Sequence, residues 1–352
     1  RDILKNDPSN FQTRRELSVL LADNGFNEEA LANLQYLTKY FPDDAEIFYN
    51  IGIIYEKMKD FKNAEIAYKT AVSISPQADF FYNLGEVFVN LQKWNDGINA
   101  FKEVLKTDLY DGNCYFNLGI CYYHIEELKK AENCFQKAIE LNPKDLYAEF
   151  YLGNIYQEQG LTNFAEECYK KVIEISPDYS WAYFNLASIA YQNGNIDEAK
   201  SNLLLTIEYN EQDIEAYKLL TKISIKDNDV ENILSILHAR LGKEQNGDLF
   251  YILSRVYKYL GMTKEYVQAL QNALQNPLTL TYRHDIVKNE FERIKSESGI
   301  VLEPPLEIEE YEEDDDDFDD DYEEEENDNI DDDESDEENN EESDNETVNE
   351  QE

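Results

Sequence analysis

The sequence predicts an all-α chain, an α-solenoid of stacked antiparallel helix pairs followed by a disordered acidic tail. Three observations point there. An aromatic phrase returns at a fixed pitch, as Phe48-Tyr49-Asn50-Ile51-Gly52, Phe81-Tyr82-Asn83-Leu84-Gly85, Tyr115-Phe116-Asn117-Leu118-Gly119 and Glu149-Phe150-Tyr151-Leu152-Gly153. Pro8, Pro42 and Pro76 are spaced by 34 residues, as are Pro143 and Pro177, so a second residue class keeps the same register. Inside each period the apolar residues recur at helical spacing. A fixed period of this length marks a supersecondary unit that buries its apolar face only by stacking on copies of itself, and such stacks make binding surfaces more readily than catalytic pockets.

The elements follow in order. In residues 112–145, Tyr115, Leu118, Gly119 and Tyr122 follow an i, i+3, i+4, i+7 pattern, and Ala131, Phe135 and Ala138 form a second helical face. The place between them holds Glu126-Glu127 here and Asn24-Gly25, Gln159-Gly160, Asn193-Gly194 and Leu260-Gly261 elsewhere. Gly or Asn after a helix stops it, because the next residue commonly needs a left-handed backbone. Each proline then falls just past a second helix, which it cannot continue. The frame divides the chain into 11–44, 45–77, 78–111, 112–145, 146–179, 180–213, 214–246 and 247–279. Residues 1–10 read as the end of a truncated preceding unit, 280–299 as a capping helix with a polar outer face, and 300–352 as the tail.

Charge separates the tail from the body. From Glu303 to Glu352 there are 31 Asp or Glu and no Lys or Arg, whereas the preceding residues carry 45 acids against 31 bases. Like charges repel, and the tail has almost nothing apolar to offset chain entropy, so disorder is expected. No apolar run reaches membrane-spanning length and no signal-peptide pattern opens the chain, although it begins at Arg1 and a targeting segment could precede it. The four cysteines, Cys114, Cys121, Cys134 and Cys168, lack CxxC spacing and read as buried free thiols of a reducing, cytoplasmic compartment.

The units resemble the tetratricopeptide repeat family. That pattern asks for a bulky residue at position 4, aliphatic at 7, small at 8, aromatic at 11, small at 20, aromatic at 24, small at 27 and often Pro at 32. Phe48, Ile51, Gly52, Tyr55, Ala64, Tyr68, Ala71 and Pro76 supply all of them. The first unit departs with Arg14, and the seventh with Thr221, Ser224, Ile233 and Arg240. The resemblance implies a right-handed superhelix whose first helices line a groove with positions 2, 5, 6, 9, 12 and 13.

Within that frame, position 5 is aromatic at Tyr49, Tyr82, Phe116, Phe150, Phe184 and Tyr251, and position 6 is Asn at Asn50, Asn83, Asn117 and Asn185. Amides in a row can pair with the backbone of an extended peptide while flat rings cover its side chains; the same ladder can equally serve helix packing. A carboxylate clamp for chaperone tails needs Lys or Arg here, but position 2 holds Glu46, Asp79, Asn113 and Tyr147. Lys218, Lys222 and Lys226 form one stripe in the seventh unit, extended by Arg255 and Lys258, giving a basic groove end. The tethered tail could solubilise the array or compete intramolecularly for that end.

No cofactor, catalytic residue or metal site is expected, since His124, His238 and His284 fall in different units without a catalytic motif. Nucleic acid and membrane are not expected partners. The sequence therefore points to a noncatalytic scaffold that binds a protein segment or helix of unknown identity. The alternative is an acidic-tail binder or chaperone-like holder of basic client proteins.

Overall fold

A computed structural model describes residues 4, 6–7, 9–107 and 111–301. Residues 1–302 form one compact unit. Among the described residues there are 17 α-helices and no strand, arranged as a right-handed α-solenoid. The first pairs are α1 (Phe11–Asp23) with α2 (Asn27–Thr38), α3 (Ala45–Lys57) with α4 (Phe61–Ile74), and α5 (Ala78–Asn90) with α6 (Trp94–Val104). The central pairs are α7 (Gly112–His124) with α8 (Leu128–Leu141), α9 (Leu146–Glu158) with α10 (Thr162–Ile175), and α11 (Ser180–Gln192) with α12 (Ile196–Tyr209). Then come α13 (Ile214–Lys226) with α14 (Glu231–Lys243), and α15 (Gly247–Leu260) with α16 (Thr263–Gln275). A short 3-10 turn (Pro277–Thr279) leads to α17 (His284–Ser298). None of these helices is long and apolar enough to cross a membrane. The assigned tail lies outside the described residues except at its start, where Ile300 packs on the cluster of Phe291. Half of segment 1–10 is likewise outside them.

Four of the eight first helices open on carboxylates. Asp44, Asp111, Asp145 and Asp213 each cap the following helix by accepting a backbone N–H from its first turn, a contact typically contributing about 1 kcal/mol.

The two helices of a pair approach so closely that one side chain sets the size of its neighbour. A methyl on Gly52 would run into the Tyr68 ring, on Gly85 it would stand 2.6 Å from the Phe101 ring, and on Gly119 or Gly153 2.7 Å from Phe135 or Tyr169. Real side-chain carbons do not come that near, so glycine is obligatory wherever the facing position is aromatic. The other four pairs solve the same space differently. Ser18, Ala187, Thr221 and Ser254 take the glycine's place where Leu34, Leu203, Leu237 and Leu270 replace the ring, and all eight are buried. Combined size is conserved while its division is not. A further departure is Glu149, a carboxylate at the bulky position, which is only 3% exposed and tied through Oε1 to Lys171 at 3.2 Å.

Each turn inside a pair holds one left-handed residue: Gly25, Lys59, Gln92, Glu126, Gly160, Gly194, Asn228 and Gly261. Half of these are not glycine. The geometry persists because the next N–H closes the helix, as Glu127 donating to the Tyr122 carbonyl at 3.0 Å and Lys93 to that of Phe88 at 2.8 Å. Holding Glu126 at φ 61° costs side-chain strain that glycine avoids. Glu126→Gly is therefore expected to raise stability by about 0.5 to 1 kcal/mol after glycine's greater unfolded-state entropy is counted. Thermal melting checks it, and an unchanged or lower Tm would show that the turn is unstrained.

All four cysteines are buried thiols, and Cys114 donates its thiol hydrogen to the Phe101 carbonyl at 3.4 Å. Burial pushes the thiols of Cys121, Cys134 and Cys168 up to about 12, so they behave as small apolar packing groups.

Candidate protein-interaction groove

The position-5 aromatics Tyr49, Tyr82, Phe116, Phe150, Phe184 and Tyr251 are all half-buried. Their buried edges rest on the helix behind them: Tyr82 on Phe101, Phe116 on Phe135 and Phe150 on Tyr169, with ring centres 5.8 to 5.9 Å apart. Tyr49 rests on Tyr68 in the same way at 5.7 Å and also stacks on Phe80 of the next repeat at 4.5 Å.

The asparagines do something their sequence does not announce. Asn83 Nδ2 donates to the Tyr49 hydroxyl at 3.1 Å, and Asn117 Nδ2 donates to the Tyr82 hydroxyl at 3.2 Å. A Tyr at position 5 thus clasps the Asn at position 6 of the following repeat. Where position 5 is Phe the clasp changes, and Asn185 donates to Asn154 Oδ1 at 3.1 Å. Asn50 turns back to the Glu46 carbonyl of its own helix. Since these amide donors join repeat to repeat or bond within a helix, the ladder works first as an inter-repeat seam.

At the other end, the expected basic stripe is largely taken up by the chain itself. Glu290 of α17 accepts from Arg255 at 3.0 and 2.9 Å, from Lys258 at 3.2 Å, and from the Tyr266 hydroxyl. Burial raises the Glu290 carboxyl, but the hydrogen bonds from Arg255 and Tyr266 and the Arg255 charge outweigh it and bring it down to about 2. Lys218 pairs with Glu215 at 2.7 Å and lies 4.8 Å from the centre of the Tyr282 ring, which itself contacts Tyr251 at 4.2 Å. Asp248 accepts from Thr281 N and Oγ1 at 2.8 and 2.7 Å. The segment leading into α17 and α17 itself therefore occupy the groove face of the eighth unit. Of the five cations only Lys222 and Lys226 make no ion pair among the described residues; their ammonium groups lie 5.8 and 5.4 Å from the Tyr191 ring centre.

Sequence reasoning passed over the most exposed aromatics of the inner face. Tyr147 and Trp181, both at position 2, are each 53% exposed. Tyr147 touches Phe116 and Tyr179, so it is held in place while presenting half its surface. The signal was legible in the repeat frame, where consecutive first helices carry bulky aromatics in their first turn. Among the described residues no group of three or more His, Cys, Asp or Glu is placed to hold a metal ion.

Comparison with known families accords with this architecture. The tetratricopeptide repeat description matches residues 15–79, 112–145 and 156–223. Those three segments are matched as tetratricopeptide repeats. Among solved structures, a tetratricopeptide repeat protein from Parabacteroides merdae ATCC 43184 is 16% identical, with 72% of this chain and 98% of that one covered at a TM-score of 0.50. PilF of Pseudomonas aeruginosa is 15% identical, covering 60% and 97% at a TM-score of 0.52. Both show the shared repeat fold. A MamA structure is 28% identical, covering 47% and 97% at a TM-score of 0.44. No curated protein sequence matches the chain. As in other tetratricopeptide repeats, positions 2, 5, 6, 9, 12 and 13 of the first helices are the inner face.

Proposed function

We propose that the protein is a noncatalytic protein-interaction scaffold that holds a polypeptide segment along the inner face of its second to sixth repeats. The observation that carries this reading is the pair Tyr147 and Trp181, both half open to water on first helices that also carry the half-buried Phe150 and Phe184, with Tyr147 held against Phe116 and Tyr179. Large, rigid aromatics of this kind concentrate binding energy because they bury much area at little entropic cost. The eighth repeat contributes less, since Arg255 and Lys258 are paired with Glu290 of α17 and Tyr251 is covered by Tyr282.

The test uses short peptides selected by display against the full chain. Tyr147→Ala and Trp181→Ala are each expected to weaken binding by about tenfold to a hundredfold. Ile66→Ala and Phe164→Ala, exposed apolar residues of second helices, should leave it within about twofold. Equal losses at both sets would remove the groove reading. The acidic tail supports a second reading, a holder of basic clients, because residues 303–352 carry 31 acids without a base.

A further inference from the structure

The inner face is electrically lopsided, and the lopsidedness sits beside the aromatic shelf. Over the second and third repeats its positions carry Glu46, Glu56, Asp79 and Glu86, answered by Lys57 alone. Lys57 is drawn away, to the Ala22 carbonyl at 3.2 Å and Asp23 at 3.3 Å. Asp79 and Asp111 line a cleft of about 350 Å³ together with Tyr49, Tyr82, Asn83 and Asn113. Its floor is aromatic, its rim anionic, and Asp111 is fixed there by capping α7 through the Cys114 N–H at 2.9 Å.

Glu86 stands at position 9 of the same repeat, half-buried, with no Lys or Arg paired to it among the described residues. Burial, then the charges of Glu56 and Asp111, push its carboxyl up, and the Tyr82 hydroxyl alone pulls it back. Among the described residues Glu56 likewise has no Lys or Arg paired to it and accepts from the Tyr68 hydroxyl at 2.8 Å. Carboxylates withdrawn from water without a counter-charge cost free energy, and the cost is recovered when an incoming cation supplies the charge. On a closed surface such a cluster would simply be solvated. Here it continues the binding face that ends in Tyr147 and Trp181.

We infer that the segment held in this groove is basic at one end and apolar at the other, with lysine or arginine side chains crossing Glu56, Asp79 and Glu86 and apolar ones crossing Tyr147 and Trp181. The inference rests on the groove reading above and names the chemistry of the occupant. It also excludes the chain's own tail from this position, because residues 303–352 have the wrong sign throughout. The polarity fixes a direction: the basic end lies toward the second repeat and the apolar end toward the sixth.

Sequencing the displayed peptides that bind the full chain, then measuring their affinities for variants of the full chain, tests this. The expected peptides have lysine or arginine on one side of an apolar stretch. Asp79→Asn combined with Glu86→Gln should weaken them by about tenfold, and the loss should shrink at high salt. The tail is unchanged in this variant and helicity by circular dichroism should be too, so neither tail attraction nor unfolding can produce the loss. Peptides that lose affinity on Trp181→Ala but are not basic, or ignore the carboxamide variant, would overturn the inference and leave the groove reading standing. Peptides indifferent to all three substitutions, or no selected peptide at all, would remove both.

Discussion

Gly119→Ala is expected to lower the stability of the array by about 2 kcal/mol, although alanine is the better helix former. The added methyl would meet the Phe135 ring at 2.7 Å, and Phe135 is fully buried, so the ring has no free space into which it can turn. The compensating change is written elsewhere in the chain. Ala187 stands at the glycine position of the sixth repeat with Leu203 at the ring position, both fully buried. Gly119→Ala with Phe135→Leu should therefore recover much of the loss, with a coupling of about 1 to 2 kcal/mol between the two sites. Chemical denaturation of the four proteins of this cycle measures it. Additive effects would mean that the close approach of α7 and α8 does not depend on this pair.

Removing the α17 carboxylate is the second large effect. Glu290→Ala should destabilise the C-terminal end of the solenoid by about 3 kcal/mol, because it leaves the part-buried Arg255 guanidinium without its anion. The same bond predicts an acid limb. The Glu290 carboxyl lies at about 2 in the folded chain against an ordinary 4.5. A depressed folded value contributes stability that is complete above about pH 4.5 and is lost as pH falls from there toward 2. The shift corresponds to about 3 kcal/mol at full ionisation. Glu290→Gln should flatten this part of the stability curve, and hydrogen exchange in α15 and α17 should follow the same titration. An acid limb unchanged by Glu290→Gln would show that other carboxylates govern it.

What could be seen in the sequence divides along physical lines. The period, the pairing and the antiparallel turn were legible because they rest on residues near one another in the chain, such as Tyr115, Leu118, Gly119 and Tyr122. The family followed from the same spacing. The use of the groove residues was less legible, since it depends on contacts one repeat away. Nothing in Asn83 or Asn117 says that its amide is committed to Tyr49 or Tyr82 of the preceding unit. Glu290 lies 35 residues from Arg255, and only the packing of α17 brings them together to consume the basic stripe. Left-handed turns at Lys59 and Gln92 escaped a reading that looks for Gly or Asn, because the surrounding helices impose the backbone there. Exposure decided the rest. Trp181 reads as core by type, and its 53% exposure is a property of where α11 sits in the stack.

These placements move the expected centre of binding. With the eighth repeat closed by its own α17, the open inner face runs from the carboxylates of the second repeat to the rings of the sixth. Photo-crosslinking tests this most directly, with a benzophenone placed in turn at each end of a selected peptide bound to the full chain. Crosslinks should fall on the first helices, with the basic end near Asp79 and Glu86 in α5 and the apolar end near Tyr147 and Trp181 in α9 and α11. Crosslinks confined to second helices, or to residues 303–352, would contradict the groove as the seat of binding.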